Sequence, residues 1–428
     1  MRKILAILAF FSCFTLAAQP YTTTEQREAA RGFIMPYATA EEAVAAAAEH
    51  RYGALVEEWS AEGEHFTASF TVPFAWTNRQ VLMRIASASA DYELWINGRR
   101  AAYNADGNTT ADYNITKLVK EGRNEAEIRL MSPSAMTPLE SWKERQKPAI
   151  GRVELLSSPT MGVRDVLVET TRHEASILSE IGIVVKSYAL NPRTVQLHYE
   201  LIDPNGRSIT AGSSELTLRM RGEDTIRFVA PVVDSLCWSR ERPQHHTLLI
   251  RTQREGRNME FHRYPLGLRS VELQEGNLLI NGHKETLHSA VVDPTTPISE
   301  LQALRERGIN TLRVKAGTID PQLYAACDTL GLYLIAQAPI NTHKSGTSRA
   351  KGGNPSNNPA WRAAFIERVE NCYHTTKRHP SVIAFSIAED SANGICLYES
   401  YRTLKRFGEE RPIIYPAAGG EWNNDVIK

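Results

Sequence analysis

The 428-residue chain has no excess of charge of either sign: 49 Lys and Arg match 49 Asp and Glu, for a formal net charge of zero. This balance argues against a nucleic-acid binder or a membrane-surface protein that works through a basic face. Beyond residue 11 there is no apolar run of the ~20 residues that a spanning helix needs. Cysteine is sparse, with five in all, and no CxxC or His/Cys cluster is present, so neither a structural zinc site nor any other cofactor is expected. Gly (26) and Pro (21) are ordinary, which excludes collagenous and low-complexity classes. A hydrophobic fraction of 42% with 23% charged residues fits globular domains, and at roughly 150 residues per domain the length suggests two to four.

The first eighteen residues read as a secretory signal peptide: Arg2 and Lys3 make a basic start, residues 4–11 are apolar, and Leu16-Ala17-Ala18 offers small residues before Gln19. Export is therefore expected, to the periplasm or cell envelope of a bacterium or into the medium. Cleavage would remove Cys13 and leave Cys237, Cys327, Cys372 and Cys396. Two disulfides are arithmetically allowed, but a core of this size needs no staples, and buried free thiols are expected.

Four patterns follow. Thr39 and Glu42 form a capping box ahead of an Ala-rich helix. From Phe66 the period is two, and 92–96 runs into Asn97-Gly98, a two-residue hairpin signal. Many short strands joined by polar turns predict a β-sandwich over residues 19–158. Six or seven strands over 159–274 predict an immunoglobulin-like sandwich without the core disulfide. Over 275–428 short apolar strands (287–292, 311–315, 332–336, 382–387, 413–417) alternate with helices, which predicts a parallel sheet with right-handed crossovers. A closed eightfold barrel needs about 250 residues, so four and a half βα units of a TIM barrel are expected here.

This order resembles glycoside hydrolase family 2, the β-galactosidase and β-glucuronidase family. Asp91 to Gly98 is similar to the hairpin of its jelly-roll, sugar-binding-like sandwich, and Tyr113-Asn114-Ile115-Thr116 with Leu118, Gly122 and Asn124 to that domain's next strand pair. Gly267-Leu268-Arg269 through Asn281-Gly282 resembles the entry to the barrel. Gly308 to Arg313, Cys327 to Tyr333 and Arg378 to Ile383 resemble its barrel motifs.

The resemblance implies two carboxylates at the C-terminal ends of barrel strands, an acid/base and a nucleophile. The acid/base segment reads Phe385-Ser386-Ile387-Ala388-Glu389-Asp390, with Asp390 in the position of the catalytic Glu and Glu389 in that of the preceding Asn. Asp is one methylene shorter, and a proton donor misplaced by ~1 Å costs roughly a hundredfold. Glu389 is the alternative acid, against which period-two alternation counts by placing it on the other face. The nucleophile sits on a seventh strand that this reading does not find. Arg313, His343 and Trp142 are implied sugar contacts, and the carboxylates alternatively form a relic site, solvated or paired with Arg313. Trp59, Trp76 and Trp95 are further aromatic candidates, with core packing favoured for Trp95. His379 reads as structural. Residues 346–358 read as a long mobile loop. The expected function is that of a family-2-like protein of carbohydrate metabolism with impaired or no catalysis, which binds a β-linked glycan or a partner. The alternative is an active retaining exo-β-glycosidase or a fragment of one. The edges of an open barrel sheet suggest self-association or a protein partner, and the C-terminal tail is long enough to cover one edge.

Overall fold

A computed structural model describes residues 26–144, 147–173 and 176–427. The signal-peptide reading therefore lies outside the described residues. The Ala-rich helix is short (Ala40–Ala45), and Thr39 accepts the Glu42 N–H at its start.

The first β region forms two antiparallel sheets. One has the order Gly53–Leu55, Val153–Ser158, Gln80–Ile85, Ala111–Asn114. The other has the order Ser60–Glu62, His65–Val72, Gly122–Leu130, Tyr92–Ile96, Arg99–Asn104. His65–Val72 alternates exposed and buried along its whole length, and Phe66, Phe70 and Val72 share a core with Met83, Ile85 and Leu155 of the other sheet. The Asn97-Gly98 turn has φ of 50° and 72°, positive at both residues as a type I′ hairpin requires. Trp95 is a correction. Tyr92, Leu94 and Ile96 take the buried positions, so Trp95 is half-buried on the outward face, where its indole donates to Glu93 and lies under the Arg129 guanidinium at 4.2 Å. Trp76 is buried and Trp59 half-buried.

The second β region pairs Met161–His173, Ser176–Ser187 and Glu223–Val232 in one sheet, and Ser208–Leu218, Arg193–Ile202, His246–Arg254 and Arg257–Leu266 in another. Ile181, Ile183 and Phe228 meet Val195, Leu197 and Leu248 between them. The strand Arg257–Leu266 is an addition to the sequence reading, since Glu260 and His262 occupy buried positions where the pattern calls for apolar residues.

Beyond it, the strands Ser289–Val292, Thr311–Val314, Tyr333–Gln337, Val382–Ser386 and Ile413–Ile414 form one parallel sheet in sequence order. Four helices cross between them: Ile298–Glu306, Pro321–Leu330, Arg362–Thr376 and Ile395–Arg406. The second helix is bounded as its sequence dictates. Asp320 accepts the Gln322 N–H, Pro321 holds the first position, and Gly331 ends it at φ 66°. A Cβ on Gly331 would stand 2.2 Å from the Arg240 carbonyl, so glycine also lets the second β region approach. Leu312, Val314, Leu334, Ala336 and Phe385 pack toward the helices, with Cys327, Cys372 and Cys396 buried among them as free thiols.

The opposite face is closed at one end by Trp238, Leu278 and Ile280 against Tyr333 and Ile383. Ile427 packs across it onto Ile335, Ala384 and Ile414. The segment around Asp425 also finishes the last strand's edge. Asp425 N–H donates to Ile413 O (2.8 Å), its carboxylate accepts Ile413 N–H (2.8 Å), and Asn424 accepts Tyr415 N–H (2.7 Å). The first strand's edge leaves Val291 61% exposed. No helix among the described residues is long and apolar enough to cross a membrane.

On the helix layer, His374 Nδ1 lies 3.2 Å from Lys377 Nζ, which is itself paired with Asp165 of the second β region at 2.6 Å. Burial, and then the Lys377 charge, push the His374 pKa down from 6.5 to about 3. A histidine depressed in the fold adds stability above its unfolded pKa, and that stability is lost as pH falls from there toward the folded value. The unfolding free energy is expected to drop between pH 7 and pH 4.5, with this residue supplying on the order of 1–3 kcal/mol. Urea titrations across that range should be visibly shallower in pH dependence for His374→Gln.

Candidate functional site

The C-terminal ends of the five strands meet at one mouth. The fourth strand ends at Ser386, and residues 387–391 continue without regular structure. Alternation therefore stops applying before the two carboxylates are reached. Glu389 is half-buried and turned inward: its Oε2 accepts the Ala316 N–H at 3.3 Å and the Asn341 amide at 3.0 Å, and its own N–H donates to Ile340 O at 2.9 Å. Asp390 is exposed. Its carbonyl accepts Thr342 N–H at 3.0 Å, while its carboxylate has no hydrogen bond or ion pair to the described residues. The directions expected from the strand register are thus reversed between the two residues.

Arg313 sits between Leu312 and Val314, which face the helices, so it faces the barrel interior and is half-buried. It makes no ion pair with either carboxylate, so of the two forms of the relic alternative the pairing with Arg313 is not seen; Lys315 instead pairs with Asp293 at 3.0 Å in an exposed position. His343 is half-buried and joins the cluster, its Nδ1 2.8 Å from Asn341 Oδ1. Asn341 organises the group. Its Oδ1 also accepts the His343 N–H at 3.1 Å, an Asx turn whose signature is no more than an Asn two residues before the turn closes. That is the only sequence signal that could have singled it out.

Trp142 is half-buried on a loop of the first β region that docks beside Asn341. Ser141 N–H donates to Asn341 O (2.9 Å), Asn341 N–H donates to Leu139 O (2.9 Å), and Lys344 N–H donates to Ser141 Oγ (3.2 Å). Glu140, 2% exposed, anchors this loop through Arg368 (2.8 Å), Asn108 (2.7 Å) and Lys143 (3.0 Å). Burial works to raise the Glu140 pKa, but Arg368 and Lys143 outweigh it and hold the carboxyl below its usual range.

The segment after His343 is tied down rather than free. Asn354, 1% exposed, exchanges hydrogen bonds with Thr342 and donates to Gly346 O. Arg349 reaches Glu421 and Tyr398, which bond each other. His379 lies at the far end of the fourth strand, its Nδ1 2.6 Å from Asp328, which also takes the Ser381 N–H and hydroxyl. That is a structural role, as its position beside Pro380 implies. No group of three or more His, Cys, Asp or Glu side chains suited to a metal gathers among the described residues.

Residues 272–427 match the model of the TIM barrel domain of the glycosyl hydrolases family 2. A β-galactosidase of Priestia megaterium is 23% identical over 370 residues, which cover 82% of this chain and 36% of that protein. A β-galactosidase of Psychromonas ingrahamii is 25% identical, over 83% of this chain and 36% of its own. The chain thus spans little more than a third of the length of these relatives. Among solved structures, a β-D-glucuronidase of Dictyoglomus thermophilum superposes with a TM-score of 0.69 at 16% identity, over 89% of this chain and 75% of that one. A Bacteroides uniformis β-glucuronidase gives 0.68 at 16%, over 82% and 46%. The family match over 272–427 makes that stretch a TIM barrel domain of the glycosyl hydrolases family 2 type, and the chain as a whole is similar to part of these β-galactosidases.

Proposed function

We propose that this chain binds a β-linked glycan at the barrel mouth and does not hydrolyse aryl β-galactosides or β-glucuronides at a useful rate. The observation that carries the reading is the fixed Glu389 carboxylate, whose Oε2 is already taken by two N–H donors, beside an unheld Asp390. A retaining glycosidase sets two carboxyl groups about 5 Å apart. Among the described residues no second carboxylate is hydrogen-bonded into the Glu389 cluster. One general acid or base alone supplies roughly 10²–10⁴-fold, far short of what glycoside hydrolysis needs. Arg313, His343 and Trp142 are the sugar contacts of this reading. In its terms the jelly-roll-like and immunoglobulin-like sandwiches serve as supports for the barrel, the first one lending the Trp142 loop. The second reading, an active retaining exo-β-glycosidase or a part of one, is favoured by the names of the relatives and by their greater length. A glycan array run beside aryl-glycoside assays separates the two. Binding is expected, weakened about tenfold or more by Glu389→Gln and little by Asp390→Asn, with no turnover above buffer. Robust turnover abolished by Asp390→Asn would establish the second reading instead.

We also propose that the protein is exported to the periplasm, cell envelope or medium, on the support of Arg2-Lys3, the apolar residues 4–11 and Leu16-Ala17-Ala18. N-terminal sequencing of protein from the native host is expected to begin near Gln19; a retained Met1 would contradict it.

The free edge of the first barrel strand, with Val291 exposed, supports a third proposal, self-association through that edge. Light scattering at micromolar concentration should give more than the monomer mass, and Val291→Lys should return it to a monomer. A monomeric native chain would remove the idea.

A further inference from the structure

Asn341, only 6% exposed, commits every polar atom it has. Its backbone is used on one side: N–H to Leu139 O and C=O from Ser141 N–H, both at 2.9 Å, a parallel bridge to the loop of the first β region. Its side chain is used on the other: Oδ1 holds the His343 backbone and ring, and Nδ2 holds Glu389 Oε2 at 3.0 Å. The loop it grips is itself clamped. Arg368, 1% exposed on the third barrel helix, donates to Glu140 at 2.8 Å and also to Pro339 O (2.9 Å), two residues before Asn341. One guanidinium thus fixes both partners of the bridge. Shifting the loop moves the Asn341 backbone, and with it the amide that aims Glu389. A buried residue held through its backbone on one side and through both ends of its amide on the other cannot follow one partner without straining its bonds to the other.

We propose that Asn341 is a positioning residue through which the 137–143 loop of the first β region sets the direction of the Glu389 carboxylate, with Arg368–Glu140 as the clamp. The proposal deepens the glycan-binding reading and rests on it for the ligand only; the coupling between loop and carboxylate exists without one.

The experiment is a double-mutant cycle on the full chain, read by urea unfolding, between Glu140→Gln and Glu389→Ala. Side chains without a shared network add in their effects, whereas those in one network do not. The folding constant of the double variant is expected to depart from the product of the single effects by roughly threefold or more. That departure should vanish in an Asn341→Ala background, which a merely stabilising role for Glu140 would not produce. Arg349→Ala, in the neighbouring segment, should add with Glu389→Ala. Should Glu140→Gln fail to fold, Ser141→Ala takes its place in the cycle. Additivity between folded variants would overturn the proposal, and so would coupling that survives in Asn341→Ala. In parallel, binding of methyl β-D-galactopyranoside and methyl β-D-glucuronide is measured by titration calorimetry, with about a tenfold loss expected for Asn341→Ala and Glu140→Gln alike. If the parent chain binds neither sugar while the cycle is coupled, the glycan reading fails and the positioning role stands. If it binds a sugar while the cycle is additive, the reverse holds.

Discussion

A guanidinium removed from water must find its acceptors inside the protein, and Arg368 finds them on three separate segments. Burial opposes its charge, but Glu140 and Asp106 outweigh that and raise its pKa. Its acceptors are the Glu140 carboxylate and the carbonyls of Ala105 and Pro339, the first two belonging to the first β region and the third to the barrel. Asn371, one helical turn on, adds a bond to Asp106 at 2.9 Å. Around these polar links Tyr103, Ala105, Met136 and Leu139 enter the same apolar cluster as Leu312, Leu334 and Phe365. The β-sheet region and the barrel sheet therefore share one core, and the loop beside the mouth is part of that core. Removing one member of a buried pair of this kind typically costs about 3–5 kcal/mol, since the remaining charge is left without its partner.

The same logic of unsatisfied groups shapes the edges of the barrel sheet. A parallel strand at an edge presents N–H and C=O groups that need partners. At the fifth strand Asn424 and Asp425 supply them from side chain and backbone together, and Tyr401 and Lys405 hold the Asp425 carboxylate in place. Ile427 then covers the apolar interior residues behind that edge. The first strand has no such finish, and Val291 stands in water there. The two edges of one sheet are thus handled in opposite ways.

Much of this was legible in the residues because local rules and the tertiary fold agree. Period two from Phe66 to Val72, Asn97-Gly98 at a turn that needs positive φ twice, and Asp320-Pro321 with Gly331 around a helix each express one physical requirement with few alternatives. Trp95 was misplaced because its neighbours on either side are both apolar, and choosing which of two alternating sets faces inward takes the partner strand. The strand Arg257–Leu266 gives no apolar alternation in the sequence because two of its buried positions are Glu260 and His262. Arg368 carried no signal at all: an Arg in an amphipathic helix reads as a solvated residue until the carbonyls that bury it are known.

The two carboxylates after the fourth strand show most clearly where sequence register stops carrying geometric information. A motif aligned residue by residue assigns Asp390 to the acid position, and period two then sends Glu389 to the opposite face. Both steps assume that the strand persists. It ends at Ser386, three residues earlier, and from there the chain direction is set by contacts that are distant in sequence: Ile340 O on the Glu389 N–H, Thr342 N–H on the Asp390 carbonyl, and the Asn341 amide on the Glu389 carboxylate. Each comes from the loop after the third strand, whose own position depends on a loop some two hundred residues upstream. Which carboxylate enters the mouth is consequently a property of three loops held together, and substituting the acid residue by itself neither creates nor removes that arrangement.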